Sequence, residues 1–236
     1  VGIFGPELML CAAAIRVGLV RQAFWAVWDR EEQRLYERTR LGRGRLEFGH
    51  GRLQVDEPDL RLDVRLAETD GIETVCPSGD SYAWTRKQGG IDAEGTVELA
   101  GQTRRLAARA IIDDTAAYYP RHTTWRWSAG VGTTLDGHAV AWNLVEGVND
   151  PPRDSERTIW IDGAPAQEPP PSRFAADLKS VDDLRFAAEA TRERNENRLL
   201  LRSRYRQPFG TFSGRLPGGL ELGEGYGVME EHDVYW

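Results

Sequence analysis

Turn-forming residues punctuate this chain from end to end, and that spacing limits what it can fold into. Gly5-Pro6, Gly18, Thr69-Asp70-Gly71, Pro77-Ser78-Gly79-Asp80, Gly101 and Pro217-Gly218-Gly219 all mark reversals. Turn signals recur roughly every 8–12 residues, which leaves little room for long helices and favours short antiparallel strands in a sandwich or barrel. Between the turns the apolar residues keep a period of two. In Asp59–Glu68 the residues Leu60, Leu62, Val64 and Leu66 share one face, and Arg61, Asp63 and Arg65 share the other. Such alternation describes a strand with one buried and one wet face. The fold class expected is all-β and antiparallel.

Read in order, Glu7–Val17 and Leu19–Trp28 form a first hairpin, and Asp29-Arg30-Glu31-Glu32 returns the chain into Gln33–Arg40. Leu8–Ile15 also suits a helix, because it is rich in alanine. The flanking Gly5-Pro6 and Gly18 would hold that helix to about three turns. Short strands follow around the glycines at 42, 44, 49 and 51, then Ile72–Cys76, Thr96–Leu99 and Thr103–Ile112. Later, Ala164–Pro171 reads as a crossover loop and Ser172–Leu178 as a strand. Leu184–Ala190 and Leu199–Tyr205 read as a hairpin turning at Arg194–Asn197 and ended by Pro208. We expect two halves, 1–105 and 106–236, joined as one continuous unit. The start at Val1, without methionine, is expected to reflect a further segment upstream.

Composition removes several function classes. A net charge of −7 disfavours nucleic acid as a partner, since phosphate binding needs a basic stripe. No stretch approaches the ~20 apolar residues of a membrane span. The two cysteines, Cys11 and Cys76, have no metal-knuckle spacing and read as buried, reduced thiols of a cytoplasmic protein. His50, His122, His138 and His232 likewise lack metal-ligand spacing, so neither a metal nor a cofactor is expected. Arginine carries almost all the basic charge; the only lysines are Lys87 and Lys179.

The chemistry concentrates in residues 112–163, which hold four of the eight tryptophans and two of the four histidines. Three strands are expected there: Thr123–Ser128, Ala139–Val145 and Thr158–Ile161. Asp113 and Asp114 precede the first, and because successive strand residues alternate, only one of them can face a given interior. A carboxyl among tryptophans is desolvated, its pKa rises, and it can act as a general acid. Turn capping is the plainer role for such an aspartate. His122 is a candidate shuttle, and Glu230 near the C-terminus a candidate partner base, with Glu231 and His232 beside it. Trp125 and Trp127, at i and i+2, share a strand face, and Trp142 and Trp160 join them or lie opposite. Asn143, Asn149, Asp150 and Glu156 are unusual for a pure core, because buried amides and carboxyls demand partners. Trp125, Trp127, Asn143, Asn149, Asp150, Glu156, Trp160 and His232 are the candidate substrate-binding residues. Asp113, Asp114, His122 and Glu230 are the candidate catalytic ones.

The segments DDTAAYYPRHTTWRWSAG, DGHAVAWNLVEGVND, SERTIWIDG and GEGYGVMEEHDVYW resemble the bacterial family known as domain of unknown function 2804. More distantly, an Asp-containing loop followed by W-x-W, a turn with Asp-Gly and a strand is similar to the carotenoid hydratase and tocopherol-cyclase-like group. That resemblance implies a lipocalin-like (calycin) β-barrel, double barrel or sandwich, and acid chemistry on hydrophobic substrates. In that group the loop typically reads Asp-His and then Trp. Here it reads Asp113-Asp114-Thr115, with His122 further on. The expected ligand is therefore a small hydrophobic or amphipathic molecule, held by a monomer or homodimer. Three uses of such a site stay open: a hydratase, cyclase or isomerase; a non-catalytic lipid or metabolite carrier; and a carbohydrate-binding or glycoside-processing protein.

Overall fold

The computed structural model describes residues 1–42, 44–198 and 201–236, and every regular element among them is a strand. The first sheet holds Gly2–Phe4 (β1), Leu8–Val17 (β2), Val20–Asp29 (β3), Arg34–Leu41 (β4), Leu46–Gly49 (β5), Arg52–Glu57 (β6), Leu60–Leu66 (β7), Ile72–Ser78 (β8), Ser81–Leu99 (β9) and Gln102–Ala117 (β10). Its order is β4-β3-β2-β1-β10-β9-β7-β6-β5, with β8 also against β9. The second holds His122–Thr134 (β11), Ala139–Glu146 (β12), Thr158–Ile161 (β13), Ala164–Gln167 (β14), Ser180–Val181 (β15), Leu184–Arg198 (β16), Leu201–Arg215 (β17) and Glu221–Tyr235 (β18). Its order is β14-β13-β12-β11-β18-β17-β16-β15. The strand ladders in both are antiparallel.

Alternation sorts each strand between two cores. On β2 and β3, Leu10, Ala12, Trp25 and Val27 point into a core that also receives Leu53, Leu62, Val64 and Val97 from β6, β7 and β9. The first sheet therefore curls around its own interior. Its outer strands meet through side chains: Glu57 of β6, 4% exposed, takes Arg40 of β4 at 2.9 Å and Arg38 at 3.9 Å. The second sheet also wraps a core of its own, built on Trp142, Leu144, Ile159, Leu184, Phe212 and Met229. Between the sheets lies a third core, where Met9, Phe24, Trp28 and Ile111 of the first pack on Ala129, Val131, Trp160, Phe209 and Val228 of the second. The result is two curled antiparallel sheets back to back, the all-β class expected.

The first hairpin forms as expected, and Leu8–Ile15 takes the strand reading rather than the helical alternative, because both its neighbours β1 and β3 pair with it. Several other local expectations change. Ser172–Leu178 is a loop carrying a single bridge, Phe174 to Val181. Residues 194–197 continue β16 rather than turning, since cross-strand pairing from Arg194 to Asn197 outweighs their polar character. Leu199 lies outside the described residues. Pro208 sits within β17 opposite Thr191, beside the bulge at Ala188/Ala190, where a missing N–H is tolerated. The chain crosses between sheets at residues 118–121, so the division expected at 105/106 falls within β10.

The Glu57 seam predicts a pH-dependent contribution to stability. The hydrogen bond from Arg40 leads in holding the Glu57 carboxyl below its ordinary value, against the opposing effect of burial. A lowered folded-state pKa stabilises above the unfolded pKa, and that stability is lost as pH falls through the folded value. Glu57→Gln should lower the urea midpoint at neutral pH, modestly because Arg40 is half exposed. The difference from wild type should close on acidification.

Candidate functional site

The same alternation that builds the inter-sheet core continues past it into polar residues. On the face of β11, β17 and β18 that carries Ala129, Phe209 and Val228, the next residues along are Trp127 and Trp125, Gln207 and Tyr205, Glu230 and His232. On the opposing sheet Asp113 follows Ile111 on β10, with Lys87 of β9 directly across from it. The apolar filling ends there, and a polar seam between the sheets takes its place, with Lys87 and Gln207 buried and Trp125, Trp127, Tyr205 and Glu230 half-buried.

Glu230 stands on one wall. Its Oε1 accepts from Trp125 Nε1 at 2.8 Å, and its Oε2 from the Tyr205 hydroxyl at 2.7 Å and Gln207 Nε2 at 3.1 Å. Burial nevertheless pushes the carboxyl above the usual carboxylate range, outweighing those donors, and the Asp113 charge adds to the rise. Burial likewise drives the Tyr205 phenol up, and the Cys11 thiol up to about 12. Arg192 backs this wall, nearly buried, with its guanidinium carbon 4.0 Å from the Phe24 ring centre and 4.9 Å from that of Tyr205. It is held by Thr39 at 3.1 Å and Glu37 at 3.5 Å.

Lys87 organises the other wall. Its ammonium, 2% exposed, meets Asp113 at 2.5 Å and Glu156 at 3.3 Å. Burial opposes its charge, but the two carboxyls overcome that and hold it above the ordinary lysine value. One cation facing two carboxyls leaves a deficit, and Glu156 absorbs it. Burial raises the Glu156 pKa, which Lys87 only partly offsets and Asp113 reinforces. Asn149 Nδ2 joins Glu156 Oε2 at 2.9 Å to the Tyr119 hydroxyl at 2.8 Å. Tyr119 stacks on Trp125 with ring centres 6.4 Å apart, which links the two walls. Asn143 Nδ2 binds the Glu156 carbonyl at 2.9 Å, and its Oδ1 accepts from Trp127 Nε1 at 2.8 Å. Two buried acceptors, Asn149 Oδ1 and Gln207 Oε1, have no partner among the described residues. Orphaned buried acceptors are costly and mark places where a fold departs from full satisfaction.

Of the residues singled out in the sequence, Asp113, Glu156, Asn143, Asn149, Trp125, Trp127, Glu230 and His232 gather here. His232 contacts Trp125 edge-on at 4.4 Å and meets Ser203 Oγ at 2.7 Å; burial lowers its pKa to about 4, so it is neutral at physiological pH. Asp114 points to the opposite face of β10 and pairs with Arg86 at 3.0 Å, as strand alternation requires. His122 is exposed, stacked on Tyr235 and bonded to Asp233 at 2.9 Å, because its position on β11 is out of phase with Trp125. Asp150 caps the turn amide of Gly147 at 2.8 Å. Trp160 lies deeper in the inter-sheet core, closely packed on Gly89. Lys87, Tyr119, Tyr205, Gln207 and Arg192 were not anticipated. Only Lys87 carried a signal: it is one of two lysines in a chain that otherwise uses arginine.

Two surface depressions are found among the described residues. One, of about 350 Å³, opens between the sheets around Arg109, Asp92 and Tyr226. The other, of about 550 Å³, shares Trp125, Tyr205 and His232 with the Glu230 wall. Its charged lining of Arg126, Arg204, Arg206 and Glu231 belongs to the other face of the same strands. Among the described residues no group of histidine, cysteine and carboxylate side chains is arranged to hold a metal ion. Among the described residues no helix is long and apolar enough to cross a membrane.

No curated protein matches the sequence. Among solved structures, kievitone hydratase from Nectria haematococca superposes with a TM-score of 0.61 at 13% identity, over 95% of this chain and 83% of that one. The two share a fold. A candidate AttH from Nitrosomonas europaea gives 0.49 at 12% identity, over 98% and 89% of the two chains. The family model for domain of unknown function 2804 matches residues 36–167, more than half of the 236 residues, and the chain belongs to that family.

Proposed function

We propose that this polar seam between the sheets acts as a cleft that binds a small hydrophobic or amphipathic molecule and carries out acid–base chemistry on it, of the hydration, cyclisation or isomerisation kind. The observation that carries this reading is Glu230: a carboxyl whose pKa is raised, set in an aromatic wall, opposite a second carboxyl paired with a buried lysine. One carboxyl buried among aromatics beside another paired with a lysine is how two like groups take different roles. The sequence alone suggested Asp113 or Asp114 as acid and Glu230 as base; the environments favour the reverse. Glu230 donates its proton to the substrate, and Asp113, held by Lys87, accepts one from water or from an adjacent carbon. Asp113 keeps 33% of its side chain exposed, so solvent can carry that proton away and return one to Glu230. The faces of Trp125 and Trp127 suit developing positive charge. The fold relative being named a hydratase is consistent with this chemistry, although fold alone does not carry function.

Native mass spectrometry of gently purified protein, with extraction and identification of any co-purifying molecule, supplies the test compound. Glu230→Gln should retain that molecule and lose turnover by about 10²-fold or more, the usual scale of general acid catalysis. Unchanged retention with no conversion by wild type would establish the carrier reading instead. Tryptophan fluorescence that responds to glycans and not to lipids would move the site to carbohydrates. Activity should also fall as pH rises through the raised Glu230 value, because the protonated form is the active one. Stability should follow: a raised folded-state pKa contributes most below the unfolded glutamate value and is lost as pH climbs through the folded one. Urea midpoints of wild type and Glu230→Gln should therefore diverge toward alkaline pH, with wild type falling.

A further inference from the structure

The β2–β3 hairpin runs beyond the sheet that it belongs to. β1 pairs with β2 only as far as Cys11, while β2 and β3 continue together to the pair Val17–Val20. Residues 14–21 are all exposed. Leu19 at the tip is 96% exposed, Val20 60% and Leu41, on the end of neighbouring β4, 62%; Ile15 and Val17 lie beside them at 39% and 41%. These are five of the eleven large apolar side chains exposed among the described residues, and they occupy one projection. A concentration of this kind marks an interaction surface.

Alternation gives the ribbon two faces. Ile15, Val17, Val20 and Leu41 continue the face that carries Cys11, Ala13 and Phe24 into the inter-sheet core, and the Phe24 ring centre lies 6.3 Å from that of Tyr205 on the Glu230 wall. Arg16 and Arg21 form a cross-strand pair on the opposite face. From Leu8 to Trp28 there is no carboxylate, in a chain with 37 acidic residues and a net charge of −7. The projection thus joins apolar side chains to two arginines on an otherwise acidic protein. That combination complements an anionic lipid surface, where apolar side chains enter the acyl boundary and arginines meet the head groups.

We propose that the tip of the β2–β3 hairpin docks on an anionic lipid bilayer, placing its apolar face as a path from the bilayer to the inter-sheet cleft. The path rests on the function proposed above; the docking does not. The test is flotation of the full chain with vesicles of phosphatidylcholine alone and of phosphatidylcholine with phosphatidylglycerol. The protein should float with the anionic vesicles, more weakly with the neutral ones, and less as salt rises. Leu19→Asp/Val20→Asp should reduce binding by about tenfold or more, because the inserting apolar area is replaced by charge. Arg16→Glu/Arg21→Glu should lose roughly tenfold on anionic vesicles. All four positions are exposed, so both variants should melt as wild type does. Glu230→Gln should float undiminished, which separates docking from chemistry: an inactive cleft leaves the docking result standing. Absence of flotation with anionic vesicles, or equal flotation of the tip variant, would overturn the proposal. So would a wild-type dimer that the tip variant dissociates in sedimentation velocity without any vesicle binding, since a second copy would then cover the face.

Discussion

Lys87→Met should lower the melting temperature by roughly 6–12 °C, taking about 3 kcal/mol of lost stability and the usual conversion for a domain of this size. Methionine fills nearly the same space, so the loss comes from charge. Without the ammonium, Asp113 and Glu156 face one another with no cation between them, and Glu156 is 4% exposed. Breaking a buried pair from one side costs about 3–5 kcal/mol. The lower end applies because Asp113 reaches solvent and Glu156 can take up a proton. The deficit should therefore grow with pH: a neutral Glu156 tolerates the missing lysine, and an ionised one does not. Lys87→Met/Glu156→Gln should recover part of the loss, since Gln keeps an acceptor for Asn149 and removes the uncompensated charge. Differential scanning calorimetry across pH checks each statement. A single variant melting within a degree or so of wild type would mean that Lys87 does not hold this wall together.

That prediction could not have been written from the sequence, and the reason is topological. Alternation was legible wherever it was local. Leu60–Leu66 shows its buried and exposed residues in strict succession, and Thr158–Ile161 forms a strand with the expected bounds. Alternation also required Asp113 and Asp114 to part company, although it could not say which would face the cleft. The contact of Lys87 with Glu156 was hidden. It depends on β9 pairing with β10 and on a loop from the second sheet folding back over both. Tyr119 was hidden for the same reason, since its role comes from stacking on Trp125 and meeting Asn149. His122 drew attention through composition, but one residue of register places it outside the cleft. Motif density located the neighbourhood; register decided its members.

Trp142→Ala should be the most damaging single truncation in the second sheet, costing about 3–5 kcal/mol and roughly 6–20 °C in melting temperature. Trp142 has no exposed surface, meets Phe212 edge-on at 5.0 Å and donates from Nε1 to Ser128 Oγ at 3.1 Å. Its indole lies across β11 and β18, where glycines make room for it. A Cβ on Gly130 would stand 2.3 Å from Cζ2 of the indole, and one on Gly225 would stand 3.0 Å from Cη2. Neither glycine has a positive φ, so the requirement is space rather than backbone conformation. Gly130→Ala in wild type should consequently cost about 1–3 kcal/mol as overpacking. In the Trp142→Ala background the same change enters a void and should cost little or even stabilise. The double-mutant cycle should therefore return a coupling of about 1–3 kcal/mol, far above the additivity expected of independent sites. The consequence extends to the cleft, because Asn143 follows Trp142 directly and Trp127 lies on the same strand as Gly130. Loosening the indole frees the strand pair that joins Asn143 to Trp127, and with it the wall that carries Glu230. If the two substitutions simply add, Gly130 is not there for the indole, and the second core is held by its aliphatic residues instead.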